Sequence, residues 1–105
     1  MNVTERLAAL SAEIAEAHTE LRIIEEQIAF QSEVADDARI RALVSETPLA
    51  DRESNEATDD LQRMIRSREE ARRRVEELRA EQDSLLERLL SEQSPPSDGA
   101  HAAAG

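Results

Sequence analysis

The chain reads as an all-α protein, an antiparallel two-helix coiled-coil hairpin, and three observations predict this. Apolar residues recur at alternating steps of four and three through both halves of the sequence. A proline, Pro48, interrupts that pattern near its middle. The composition is that of long helices, with 35% charged residues, 1% aromatic residues and only two glycines.

The first helix is predicted over about residues 3–45. Val3, Leu7, Leu10, Ile14, Ala17, Leu21, Ile24 and Ile28 occupy successive seam positions of a heptad repeat. A period of 3.5 residues holds them all on one side of a supercoiled helix. The same count continues through Gln31, Ala35, Ala38 and Ala42, where the seam turns small and partly polar, and Ile40, Leu43 and Val44 close the segment.

A turn is predicted at residues 46–48. Proline lacks an amide donor and clashes with the preceding turn, so a helix running through Pro48 costs about 3 kcal/mol. Thr47 suits a helix N-cap and Pro48 the position after it. Asp51 and Glu53 follow near the new N-terminus, where the helix dipole favours negative charge.

The second helix is predicted over about 49–92, with a seam of Leu61, Met64, Arg68, Ala71, Val75, Leu78, Gln82, Leu85 and Leu89. Traced backwards, the seam reaches Ala57, Ser54 and Ala50, again small residues. After Glu92 the periodicity ends, and residues 93–105, with Pro95, Pro96 and Gly99, read as a disordered tail.

Two segments of nearly equal length fold back at the break, so that facing residue numbers are expected to total about 95. In that register Leu10 meets Leu85, Ala17 meets Leu78, Leu21 meets Val75 and Ile24 meets Ala71. Flanking charges match in the middle, where Glu25 would face Arg72 and Glu20 would face Arg74, while His18 would face Arg79 as a neutral pair when the imidazole is unprotonated. They mismatch at the base, where Glu13 would face Glu81 and Arg6 would face Arg88. Leu85, Leu86, Leu89 and Leu90 form an apolar face wider than a two-helix seam can cover, and Ile23, Phe30, Val34 and Ile65 lie beside the seam. A homodimer closing a four-helix bundle is therefore expected, with Leu85, Leu86, Leu89, Leu90, Phe30 and Ile65 as its self-association residues.

The same residues exclude several functions. There is no Cys or Tyr, the two histidines are far apart, and neither a glycine-rich phosphate loop nor metal-ligand spacing is present. No enzyme, cofactor or dedicated metal site is expected. The net charge of −11 opposes nucleic-acid binding, which needs a basic surface. Membrane binding is also not expected. No apolar run approaches the ~18 residues of a membrane span, and the first helix up to Asp37 carries nine acids against Arg6 and Arg22. No basic segment followed by an apolar stretch opens the chain, so a cytoplasmic protein is expected.

Acidic residues concentrate at the tip, with nine acids and three arginines between Glu33 and Asp60. Glu46, Asp51, Glu53 and Glu56 are the residues expected to meet a protein partner there. Carboxylates at a hairpin tip could also contribute oxygen ligands to Mg²⁺ inside a partner enzyme.

The stretch DDARIRALVSETPLADRESNEATDDL, Asp36 to Leu61, resembles the centre of a family of small coiled-coil proteins from high-GC Gram-positive bacteria. All 13 basic residues are Arg, which suits such a source. That resemblance supplies no catalytic residues. The segment DRESNEA, Asp51 to Ala57, is similar in character to the acidic tip of the N-terminal helical hairpin of Gre-type transcription factors, although their glycine and leucine pattern is absent. This second resemblance implies an alternative function, a transcription regulator inserting its tip into the RNA polymerase secondary channel. Asp51 and Glu53 would then be its metal-holding pair.

Overall fold

The computed structural model describes residues 2–93, and within them the chain forms two helices, α1 over Val3–Ser45 and α2 over Pro48–Gln93. They lie against each other as a helical hairpin. The expected tail falls outside the described residues except for Gln93, which ends α2. At ~1.5 Å per residue the helices are about 65 and 69 Å long. Neither contains a glycine, and the only proline within them is Pro48 at the first position of α2.

Both ends of α1 and the start of α2 find partners for orphan backbone groups. Asn2 is extended, and its side chain accepts a hydrogen bond from the Glu5 amide at 2.8 Å. At the other end of α1, Glu46 takes a left-handed conformation (φ 52°, ψ 39°), and its amide donates to the Ala42 carbonyl at 3.1 Å. Thr47 then caps α2. Its hydroxyl accepts from the Ala50 amide at 3.1 Å and its carbonyl accepts from the Asp51 amide at 3.0 Å. Pro48 sits where no amide donor is required.

Glu46 is the only non-glycine residue with positive φ among the described residues. A side chain with a Cβ pays about 1 kcal/mol or more in that region, and glycine returns part of this through a larger loss of chain entropy. Glu46→Gly is therefore expected to stabilise the hairpin by about 0.5 kcal/mol. A rise in the urea midpoint followed by far-UV circular dichroism checks it.

Every seam residue named from Val3 to Ala42 and from Ala50 to Leu89 is buried or half-buried. The packing nevertheless changes along the hairpin. Towards the base, Leu10, Ala17, Val75 and Leu78 form a buried cluster, with Ile14, Leu21 and Leu85 against it. Towards the tip the cluster is made of Ala35, Ala38 and Ala57, with Val34 and Leu61 beside it. Small side chains let the two backbones approach. Gln31 confirms the proximity by donating from Nε2 to the Ala57 carbonyl of the opposite helix at 3.0 Å.

The register differs from the expected one by about three residues. On one edge, Glu25 pairs with Arg72 and His18 with Arg79, numbers that total 97. On the other, Arg6 pairs with Glu81 and Glu13 with Arg74, numbers that total 87. The layers between the edges therefore centre near 92, which sets Ala17 level with Val75 and Ala35 level with Ala57, each pair within one buried cluster. The cause lies at the turn. Only Glu46 and Thr47 join the helices, so the chain reverses between them rather than beyond Thr47.

Arg68 occupies a seam position, and its Nε is buried without a hydrogen-bond partner. The nearest carboxylate oxygen, of Glu69, is 3.4 Å away but not aligned as an acceptor. An unsatisfied buried donor costs about 1–3 kcal/mol. Arg68→Leu removes the donor and extends the apolar seam, so a gain of about 1 kcal/mol in chemical denaturation is expected.

Candidate interaction surfaces

The base of the hairpin holds the most developed polar cluster. Arg6 reaches Glu81 through two hydrogen bonds, Nε to Oε2 at 2.7 Å and Nη2 to Oε1 at 2.8 Å. Its Nη1 donates to Glu13 at 2.7 Å. Glu13 in turn lies 3.8 Å from Arg74, the residue expected to face Glu20. The expected like-charge mismatch at the base is thus absent. In the observed register the arginines and acids of this edge interleave one heptad apart, so Arg6 lies between two carboxylates instead of facing Arg88.

The hydrogen bond from the Arg6 guanidinium holds the Glu81 carboxyl below its ordinary value, against an opposing effect of partial desolvation. The same contact raises Arg6 further above the range in which it could lose its proton. A carboxyl with a lowered folded-state value contributes stability above its unfolded value, about 4.3 for Glu. That contribution is lost as pH falls through the folded value. Glu81→Gln is therefore expected to flatten the pH dependence of the urea midpoint on the acid side relative to wild type. Identical acid limbs for the two proteins count against a role for the pair.

The opposite edge carries Glu25 with Arg72 at 3.4 Å and His18 with Arg79 at 2.9 Å. Arg79 donates, so His18 Nε2 acts as the acceptor. These are two of the three cross-helix contacts expected in the middle of the hairpin; Arg74, expected opposite Glu20, lies beside Glu13 instead.

The expected self-association residues do not form one patch. Leu85 and Leu89 are half-buried seam residues, and Leu85 packs on the Leu10 cluster. Leu86 and Leu90 are exposed, and Ile65 is half-buried. Ile65 and Leu86 share the heptad position of Arg72 and Arg79, and so lie on the His18 edge. Phe30 is exposed on the other edge, in an open groove with Ile23, Gln27 and Met64. A single partner helix laid along one edge cannot cover both groups.

At the tip, Glu46, Asp51, Glu53 and Glu56 are all exposed. Glu53 and Glu56 line a shallow groove with Gln31, Val34, Ala38, Arg41, Ala57 and Asp60, while Glu46 and Asp51 lie outside it. Asp51 and Glu53 are two apart on a helix and point to different sides, an arrangement unsuited to holding one cation between them. Among the described residues no three His, Cys, Asp or Glu side chains are placed to hold a metal ion. None of these residues, and no helix of the described chain, forms a segment long and apolar enough to cross a membrane.

The sequence reading missed the apolar part of the tip. Ile40, Leu43, Val44 and Leu49 are exposed by 55%, 72%, 80% and 62%. The signal was present in the heptad count, which leaves all four off the seam while Ala38, Ala42 and Ala50 occupy it. No protein-family model, curated protein or solved structure matches this chain.

Proposed function

We propose that the chain is a non-catalytic coiled-coil scaffold of the cytoplasm that self-associates as a homodimer and holds a protein partner at its acidic tip. The observation that carries this reading is the exposure of large apolar side chains outside the seam. Ile23 and Phe30 on one edge, and Leu86 and Leu90 at the base, remain uncovered in a single hairpin. Helices with apolar surface wider than one seam are typically components of bundles. A second hairpin laid along either edge extends the two helices to four. The net charge of −11 supports a protein partner over nucleic acid or an anionic membrane surface.

Sedimentation equilibrium at micromolar concentration tests the self-association. The wild type is expected at twice the chain mass. Because the two apolar groups lie on different edges, Phe30→Ser and the pair Leu86→Ser with Leu90→Ser separate them, and only the variant at the interface should shift to monomer. A folded wild type that stays monomeric throughout the concentration range ends this part of the reading.

A further inference from the structure

The tip of this hairpin has its amphipathicity reversed. Between Ala35 and Ala57 the seam is built from Ala35, Ala38, Ala42, Ala50, Ser54 and Ala57, while Ile40, Leu43, Val44 and Leu49 face solvent. Burial of apolar surface is the main drive for helix pairing, and it is served here by the smallest residues available. Towards the base, Leu10, Val75 and Leu78 are inside, as packing alone requires. The reversal is therefore local, and it leaves four large apolar side chains within ten residues of one another at the end of the molecule.

We infer that this patch seats a basic amphipathic helix of a protein partner. Ile40, Leu43 and Val44 stand at i, i+3 and i+4, the spacing of one helix face. Leu49 follows just past the turn and shares with Val44 the edge that also carries Phe30. The turn itself is fixed by the Glu46 and Thr47 hydrogen bonds, so the two helix ends presenting the patch are held in place. Pre-formed apolar surface of this kind is read by the apolar face of an incoming helix.

The charge around the patch selects the partner. Asp36, Asp37, Glu46, Asp51 and Glu53 surround it in sequence, and of the three local arginines Arg39 is occupied by Asp36 at 3.4 Å. Nine acids against three arginines repel a second copy of the same tip. Anionic lipid and nucleic acid are repelled for the same reason. Leu or Ile at helical spacing, flanked by Lys or Arg, meets both the apolar surface and its acidic margin.

This inference rests on the partner-binding half of the proposed function and is tested apart from the dimer. The probe is a fluorescein-labelled peptide of about 18 residues with Leu at helical spacing and Lys and Arg flanking it. A scrambled peptide of the same composition and a Glu-flanked version serve as comparisons. Fluorescence anisotropy is expected to show saturable binding of the basic helix to the wild type. Binding should weaken by about tenfold or more with the scrambled peptide, and likewise with Leu43→Ser and Leu49→Ser combined. It should weaken by about threefold with Asp51→Asn and Glu53→Gln combined, or on moving from about 50 to about 300 mM salt. Unchanged far-UV circular dichroism keeps the Ser variant interpretable. Equal binding of the scrambled peptide, equal binding by the Ser variant, or no saturation at all overturns the inference. Preference for the Glu-flanked peptide overturns it while leaving a tip-bound partner in place. Sedimentation of the same variants reads self-association in a separate measurement, so loss of the dimer and loss of peptide binding are told apart.

Discussion

Truncation of Leu10 to Ala is expected to destabilise the hairpin by about 3–5 kcal/mol. Among the described residues Leu10 is the one large side chain that is completely buried, at 0% exposure, and it joins Ala17, Val75 and Leu78 in the cluster that holds the base half together. In a two-helix fold little else can collapse into the space left behind, which places the substitution at the costly end of the Leu→Ala range. Small domains have about 5–15 kcal/mol in total, so the loss removes much of the margin. Urea unfolding followed by far-UV circular dichroism measures it. Leu86→Ala is the informative comparison, since Leu86 is off the seam and exposed. Its effect on a single hairpin should lie within about 0.5 kcal/mol. A larger effect that grows with protein concentration would come from the dimer, because association stabilises the folded state by mass action. A Leu10→Ala protein that unfolds at the wild-type midpoint would mean that the base cluster does not hold the fold.

The seam was legible in the sequence because a period of 3.5 is a strict geometric condition that few arrangements satisfy by accident. Val3 through Ala42 and Ala50 through Leu89 keep it without exception, and all are withdrawn from solvent. The reversal was legible through Thr47 and Pro48, whose cap and missing donor point the same way. The register was less so. A heptad pattern fixes which side of a helix is buried, and leaves the axial offset between helices to the turn. A left-handed Glu46 is uncommon enough that the sequence did not announce it. The offset then decided the charges. With the layers moved by about three residues, Arg6 found Glu81 and Glu13, and a base that looked repulsive became the best-paired part of the surface.

The candidate surfaces were legible only as a list of residues. Phe30, Ile65 and Leu86 are each off the seam, but their heptad positions place them on different edges. Two helices in contact have two separate edges, so residues that share the property of lying off the seam still divide into two groups. At the tip the carboxylates stand out by number, whereas Ile40, Leu43 and Val44 taken by themselves are the end of a helix. Their meaning depends on Ala38, Ala42 and Ala50 lying inside, which is a relation between positions and not a property of any one.

Enlarging the tip seam should have the second largest effect, and it tests why alanine is there. Ala38 is buried among Ala35, Ala57, Val34 and Leu61, in the stretch where Gln31 bonds the opposite backbone. Ala38→Leu adds volume where the helices lie close, and overpacking of this kind costs about 1–3 kcal/mol. If alanine were present only for want of a larger residue, Leu would fill the seam and stabilise the hairpin by a similar amount, so the two accounts differ in sign. The substitution is also expected to part the helices at the tip, break the Gln31 bond to the Ala57 carbonyl and shift Leu49 relative to Val44. Leu43→Ser, outside the seam, should leave stability within about 0.5 kcal/mol of wild type. Both variants should weaken the basic peptide, one by displacing the patch and the other by deleting part of it. Hydrogen exchange separates them. Ala38→Leu should raise amide exchange in the turns around Ala35 and Ala57 while the Leu10 cluster stays protected, whereas Leu43→Ser should leave both unchanged. Close packing inside the tip and apolar surface outside it are then two parts of one arrangement, in which small seam residues bring the helix ends together and so fix the positions of the large residues around them.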